Sequence, residues 1–357
     1  MNLDDTTSFA ERDPGKMLAE IEGLPDQLQA AWNLGNSIDL PEWRGIRKVL
    51  VAGMGGSAIG ADLVAAYVSP ICQVPVIVHR NYGLPTWAKD EDTLVVASSH
   101  SGNTEETLST LDEALKSGAR CLVITTGGKL EQVAERSGLP LYRFEHKGQP
   151  RSAVGFSFGL LLAALYQINL LPDLSGELEG ALKSMRRQLE QVGVEVPTTQ
   201  NPAKRLAGQL VGRLVTVFGA DILEPVARRW KGQINELAKA WAGFEALPEA
   251  DHNTLTGVAN PEELLGRTMA LFLRAPSYHP RNQLRVELTK RGFMLEGINT
   301  DFVDAQGETR MEHLWTAVSF GDFMAYYLAM AYGMDPTPIP GIQNFKMEMK
   351  AATQELD

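Results

Sequence analysis

Two cysteines, Cys72 and Cys121, are all that the 357 residues contain. With no C-x-x-C pair there is neither a disulfide framework nor a zinc-type spacing, and a reduced, cytoplasmic setting is expected. Positive charge is also scarce: 33 Lys and Arg face 44 Asp and Glu, for a formal charge of −11. Binding a nucleic-acid backbone demands a basic surface, so no nucleic-acid partner is expected. A small anionic substrate is not excluded, because it needs only a local donor-rich pocket. Long apolar runs are missing too. The longest, FSFGLLLAALYQINLL, is interrupted by Gln167 and Asn169 and reads as a buried helix, so no membrane partner is expected. The opening residues MNLDDTTSFAERDPG carry neither a basic nor an apolar stretch, so no secretory leader is expected. Finally, His79, His146, His279 and His313 show no H-x-H or H-E-x-x-H spacing, and no metal is expected.

What the chain does have is length for two cores and a repeated strand–helix alternation. A helical pattern over 14–35 (Met17, Ile21, Leu24, Leu28, Trp32) is followed by strands at 47–53, 74–80, 92–99 and 121–128, with helices between them and at about 129–137 and 155–171. Charged helices are expected over 174–210. Strands at 213–220, 241–248, 268–275 and 297–305 then alternate with helices, and 314–333 reads as a long helix with an apolar face. Apolar, β-branched strands separated by helices specify an α/β fold of parallel sheets covered on both faces. The expected division is an N-terminal helical segment (1–40), a first α/β unit (41–172), a helical connection (173–210), a second unit (211–335) and a C-terminal helix (336–357).

Ligands of open parallel sheets bind at the carboxyl ends of the strands. Two such ends are unusual here. The first is GMGGSAIG (53–60), where clustered glycines open a helix and let backbone N–H groups approach an anion. As a dinucleotide fingerprint it is degenerate. The second strand ends in His79-Arg80 rather than in the acidic residue that holds a ribose, which disfavours NAD and leaves only NADP open. No G-K-[ST] follows, so it is not a P-loop. The second is SSHSGNTEET (98–107), where Ser99, Ser101 and Thr104 surround a glycine at a helix start. Capping needs one hydroxyl, with Glu105 and Glu106 favourable in the first turn. Three hydroxyls suggest a neutral phosphate cradle, helped by the helix dipole.

GMGGSAIG together with SHSGNTEET resembles the bifunctional phosphoglucose/phosphomannose isomerases of the SIS (sugar isomerase) superfamily, over about residues 15–350. The resemblance implies two SIS domains, each a flavodoxin-like doubly wound parallel sheet flanked by helices. It also implies interconversion of glucose 6-phosphate, and of mannose 6-phosphate, with fructose 6-phosphate through a cis-enediol, with no cofactor. Gly55, Gly56, Ser57, Ser99, Ser101 and Thr104 would hold the substrate and its phosphate. KGQINELAK (231–239) is similar to the segment with the catalytic glutamate, making Glu236 the base; a surface charge pair of Glu236 with Lys239 is the competing reading. PRSAVGFSFG (150–159) resembles the segment whose arginine, here Arg151, stabilises the enediolate, against a reading as a solvated linker cap. PEADHN (248–253) matches the segment with a ring-opening histidine, His252, against a plain surface imidazole. DPTPIPGIQNFK (335–346) resembles the helix that delivers a lysine, Lys346, with Lys350 as the competing choice. In related isomerases that histidine comes from the neighbouring subunit, which implies a homodimer with active sites at the interface. The chain departs from the family at His100, where an aromatic hydroxyl is usual, and at Ala238, where a small polar residue is. Its alternatives are a SIS isomerase of another sugar phosphate, such as a pentose or amino-sugar phosphate, and a non-catalytic sugar-phosphate-binding SIS protein. A basic helix-turn-helix pattern, which sensors of that kind carry, is absent from both ends.

Overall fold

The computed structural model of the chain describes residues 2–354; the last residues of the expected 336–357 helix lie outside the described residues. Three helices open the chain, α1 (Thr6–Arg12), α2 (Met17–Glu22) and α3 (Leu24–Asn36). The single helix expected over 14–35 is broken at Gly23. Pro25 has no N–H to donate one turn back, so the ladder restarts there with the proline in the first turn of α3. Asp13 starts α2 by accepting from the backbone N–H groups of Met17 and Leu18 at 2.7 and 2.8 Å.

The first α/β unit runs β1 (Lys48–Ala52), α4 (Gly55–Val68), β2 (Val76–His79), β3 (Thr93–Ser99), α5 (Glu105–Ser117), β4 (Arg120–Thr125), α6 (Gly128–Ser137), β5 (Leu141–Arg143) and α7 (Val154–Gln167). Its sheet is wholly parallel, in the order β2-β1-β3-β4-β5. β3 is buried at every position, which is why TLVVASS shows no polar alternation. The sequence reading missed β5. Three residues pairing with a single neighbour give too short a pattern to register.

Helices α8 (Ser175–Val192) and α9 (Pro202–Leu210) lead into the second unit: β6 (Leu214–Ala220), α10 (Glu224–Leu237), β7 (Ala242–Leu247), α11 (Glu262–Leu265), β8 (Thr268–Arg274), α12 (Pro280–Leu295), β9 (Asn299–Asp304) and α13 (Arg310–Tyr332). The second sheet is again parallel, in the order β7-β6-β8-β9. Both sheets therefore have the doubly wound 2-1-3-4 arrangement, with switch points at the ends of β1/β3 and β6/β8. α13 was expected to have one apolar face. It is instead buried from Met311 to Met330 except at Glu312, because α8, α9 and α10 surround it. Contacts between α4 and α10 join the two units, and the site forms along that seam. A final helix, α14 (Pro340–Gln354), follows; its residues Gly341–Ala352 are exposed.

Candidate active site

The turn from β1 into α4 is stripped of side-chain bulk. Met54 caps α4 without a side-chain hydrogen bond, leaving the first backbone N–H groups of the helix to other acceptors. A Cβ on Gly56 would lie 2.3 Å from the Pro150 carbonyl oxygen, so only glycine lets the 150–152 turn press against the start of α4. That turn is a short 3-10 helix, and it carries Arg151.

At the end of β3, Thr104 caps α5, again without a side-chain bond to the helix. Its Oγ1 pairs instead with Ser99 Oγ at 2.7 Å, and Ser99 Oγ accepts from Gly102 N–H at 3.2 Å. Ser101 is exposed, and its Oγ accepts from Asn103 N–H. The hydroxyls are thus not spent on capping. Gly102 is required by its φ of +64° and by its neighbour, since a Cβ would meet Gly127 O at 1.7 Å. Ser57 lies beside this loop: the Cβ position on Gly53 would fall 3.3 Å from Ser57 Cβ and 2.9 Å from Ser98 O.

Across the seam, Glu236 stands on the last turn of α10, half-buried. Its Oε2 is 3.5 Å from Nη1 of Arg151, whose side chain is 4 % exposed. Nη2 of Arg151 donates to the carbonyl oxygens of Pro336 and Thr337 at 2.7 and 2.6 Å, while Nε is buried without a hydrogen-bond partner among the described residues. Burial lowers the Arg151 pKa and Glu236 opposes that shift; a guanidinium titrates so high that it keeps its charge. Lys239 does not pair with the Glu236 carboxylate. It takes a left-handed backbone conformation, φ 54°, and donates to the carbonyl oxygens of Glu236, Leu237 and Asp335 at 2.8, 3.2 and 2.6 Å. The residue as a whole is exposed, but desolvation of its ammonium end, with the nearby Arg151 charge, brings its pKa down to about 8.

A cavity of about 310 Å³ lies along the seam, lined by Gly55 and Gly56 on one side and by Gln233 and Glu236 on the other. Arg80, Arg151, Arg228, Arg229 and Lys231 also line it, so a chain that is acidic overall presents five cations and one carboxylate here. Arg80, the residue that left NADP open, is paired with Asp62 and also donates to Ala58 O.

Sequence reasoning missed the support beneath Arg151. Arg229 forms a buried two-pronged pair with Asp322 of α13, at 3.1 and 2.6 Å, and its other donors reach the Arg151 carbonyl at 3.3 and 3.2 Å. Gln233 donates to Asp322 as well, at 2.8 Å. The available signal was a lone aspartate inside the apolar run SFGDFMAYY.

The structure thus brings Gly55, Gly56, Arg151 and Glu236 together, with Ser57, Ser99, Ser101 and Thr104 at the adjoining strand ends. It does not bring His252 or Lys346 to them within one chain. His252 is exposed on a turn that Asp251 ties to α12 through Arg285 and Thr289 at 2.7 and 2.6 Å. Lys346 and Lys350 are exposed on α14. Neither His252 nor Lys346 lines the cavity. Among the described residues, no three His, Cys, Asp or Glu side chains converge to hold a metal ion, and no helix is long and apolar enough to cross a membrane.

Residues 44–165 match the SIS domain model, and residues 199–349 match the bacterial phospho-glucose isomerase C-terminal SIS domain. A bifunctional phosphoglucose/phosphomannose isomerase of Caldicellulosiruptor bescii is 37% identical, over 93% of this chain and 98% of its own. The chain belongs to the bifunctional phosphoglucose/phosphomannose isomerase family. A D-glucosamine-6-phosphate 4-epimerase of Sulfolobus acidocaldarius is also similar, 32% identical over 78% of this chain and 89% of its own. Among solved structures, a hypothetical protein from Thermus thermophilus shares the two-SIS-domain fold. Its TM-score is 0.74 at 17% identity, covering 98% of this chain and 94% of that one.

Proposed function

We propose that the chain interconverts glucose 6-phosphate, and mannose 6-phosphate, with fructose 6-phosphate through a cis-enediol. The observation that carries this reading is Glu236 beside Arg151, at 3.5 Å, in a cavity whose other charged residues are all cations. Moving a hydrogen between C2 and C1 needs a base that gives the proton back and a fixed positive charge for the oxyanion formed between. In this reading Glu236 removes and returns the proton. Arg151, whose buried Nε has no partner among the described residues, stabilises the enediolate. The uncapped starts of α4 and α5, with Ser57, Ser99, Ser101 and Thr104, take the phosphate.

Ring opening falls to His252 and Lys346. Both are exposed here, so they would act on the site of a second copy, in a homodimer whose active sites lie at the interface. α14 supports this: Ile342, Phe345 and Met349 recur at i, i+3 and i+7 and are 43%, 62% and 43% exposed. The enzyme is placed in the cytoplasm, a setting with which its free cysteines are compatible. The five regions expected from the sequence, at 1–40, 41–172, 173–210, 211–335 and 336–357, are the proposed domain division.

The test is an EDTA-treated preparation assayed for fructose 6-phosphate from glucose 6-phosphate and from mannose 6-phosphate, with glucosamine 6-phosphate in parallel. Turnover of both hexose phosphates is expected. Conversion of the amino sugar alone would replace this reading with another sugar-phosphate reaction, and binding without conversion would make the protein a sensor.

A further inference from the structure

Behind the serine-rich loop, side chains from three separate segments form a continuous hydrogen-bonded chain. His100 stands between Ser99 and Ser101, and its Nε2 is 2.9 Å from His146 Nδ1. His146 Nε2 is in turn 2.9 Å from Oε2 of Glu20 on α2. The His146 side chain is 8% exposed and Glu20 31%. Aromatic edges enclose the pair, with Phe144 6.0 Å from the His100 ring and Phe156 6.0 Å from the His146 ring.

The chemistry of the groups orders the protons. A carboxylate can only accept, so the His146 Nε2–H donates to Glu20. His146 Nδ1 and His100 Nε2 share the second hydrogen bond, one nitrogen donating and the other accepting. Burial, with His146 alongside, lowers the His100 pKa to about 4, so the His100 ring is neutral at physiological pH and adds no charge to the phosphate cradle. The His100 carbonyl is fixed as well, accepting from Thr126 N–H at 3.2 Å and Thr126 Oγ1 at 2.6 Å.

The far end of this chain reaches the catalytic side. His146 and Arg151 lie on one connection, and that connection folds closely over Glu20: a Cβ on Gly148 would be 2.8 Å from both Glu20 Oε1 and His146 Cε1. Beyond the arginine, Gln27 of α3 donates to Ser152 O and accepts from Gly155 N–H, at 2.8 and 2.7 Å. The N-terminal helices therefore grip the Arg151 turn from both sides, and the Glu20 side continues through His146 and His100 to the serine-rich loop.

We propose that Glu20 and His146 are positioning residues which, through His100, hold the serine-rich loop and the Arg151 turn in one fixed relation. The phosphate and the reacting carbons of a sugar phosphate are then engaged together. This rests on the isomerase reading above for its second half only, because phosphate binding can be measured without turnover.

The experiment compares Glu20→Ala, Glu20→Gln, His146→Ala and the unaltered chain, by calorimetric titration with inorganic phosphate and by glucose 6-phosphate kinetics. Loss of a charge-assisted bond is expected to weaken phosphate binding and raise KM by about tenfold in Glu20→Ala and His146→Ala, with a smaller fall in kcat. Glu20→Gln keeps an acceptor for the His146 N–H and is expected to stay within about twofold of the unaltered chain. A merely structural role would lower the melting temperature without this rescue or this split. Unchanged phosphate affinity in a folded Glu20→Ala would overturn the proposal, and so would equal losses in Glu20→Ala and Glu20→Gln. Should His146→Ala fail to fold, the two Glu20 variants decide alone, since that side chain is partly in solvent. Phosphate binding by an unaltered chain that does not turn over glucose 6-phosphate would sink the isomerase reading, while the phosphate comparison would still decide the brace.

Discussion

Arg151 Nη1 and Glu236 Oε2 lie 3.5 Å apart, yet they come from opposite α/β units, the arginine from the turn before α7 and the glutamate from the end of α10. Removing the carboxylate while keeping its shape is therefore informative. Glu236→Gln is expected to lower kcat by about 10³-fold, the scale of a lost general base, while fructose 6-phosphate still binds. Steady-state kinetics and product titration check this. Loss of binding together with turnover would make Glu236 structural.

Arg151→Lys keeps a charge but loses the fork that reaches Pro336 O and Thr337 O as well as Glu236. We expect kcat to fall by about 10²-fold with a smaller change in KM, as for removal of an oxyanion donor. A variant with unaltered kcat would remove Arg151 from the chemistry.

Asp322→Ala leaves Arg229 buried without its counter-charge, since both side chains of the pair are 3% exposed. Breaking a buried pair from one side costs about 3–5 kcal/mol, to be read from urea unfolding. Activity is expected to fall too, because Arg229 also holds the Arg151 carbonyl. A cost below about 1 kcal/mol would place the pair among those contributing little.

His100 gives a pH dependence whose sign can be worked out. Its folded pKa, about 4, is below the ordinary 6.5, so between these values the unfolded chain binds the proton that the folded chain refuses. Stability supplied by the neutral ring is fully present above pH 6.5 and is lost as the pH falls toward 4, on the order of 2–3 kcal/mol. Burial lowers the His313 pKa as well, adding loss in the same direction. Melting curves from pH 4 to 7 should therefore flatten in His100→Phe. Parallel curves for the two proteins would show that His100 is not the source.

Deleting residues 338–357 removes α14, whose residues Gly341–Ala352 are exposed in the single chain. The shortened protein is expected to melt as the full chain does at low concentration, to sediment as a monomer, and to lose turnover because Lys346 is gone. A dimer surviving the deletion would move the interface elsewhere.

The sequence alone determined the class of fold and the positions of the two loops proposed to take the phosphate. Apolar β-branched strands such as VLVA and LVVASS can only be buried on both faces. A glycine cluster or a run of hydroxyls after such a strand can only lie at a sheet's carboxyl edge. These are local constraints, and periodicity carries them. Pro25 and β5 show the limits of that reading: one missing N–H split an expected helix, and three residues were too few for a pattern. Only the tertiary structure decided which distant residues meet. Spacing alone left a surface pair of Glu236 with Lys239 open beside the catalytic reading; in the packed structure Arg151 stands beside Glu236 and the Lys239 ammonium turns to the backbone. Asp322 and Arg229, and Glu20, His146 and His100, are separated by long stretches of chain, and no local pattern couples them. They pair because burial leaves a charged or polar group no water to turn to, so each must find a partner in the packed interior.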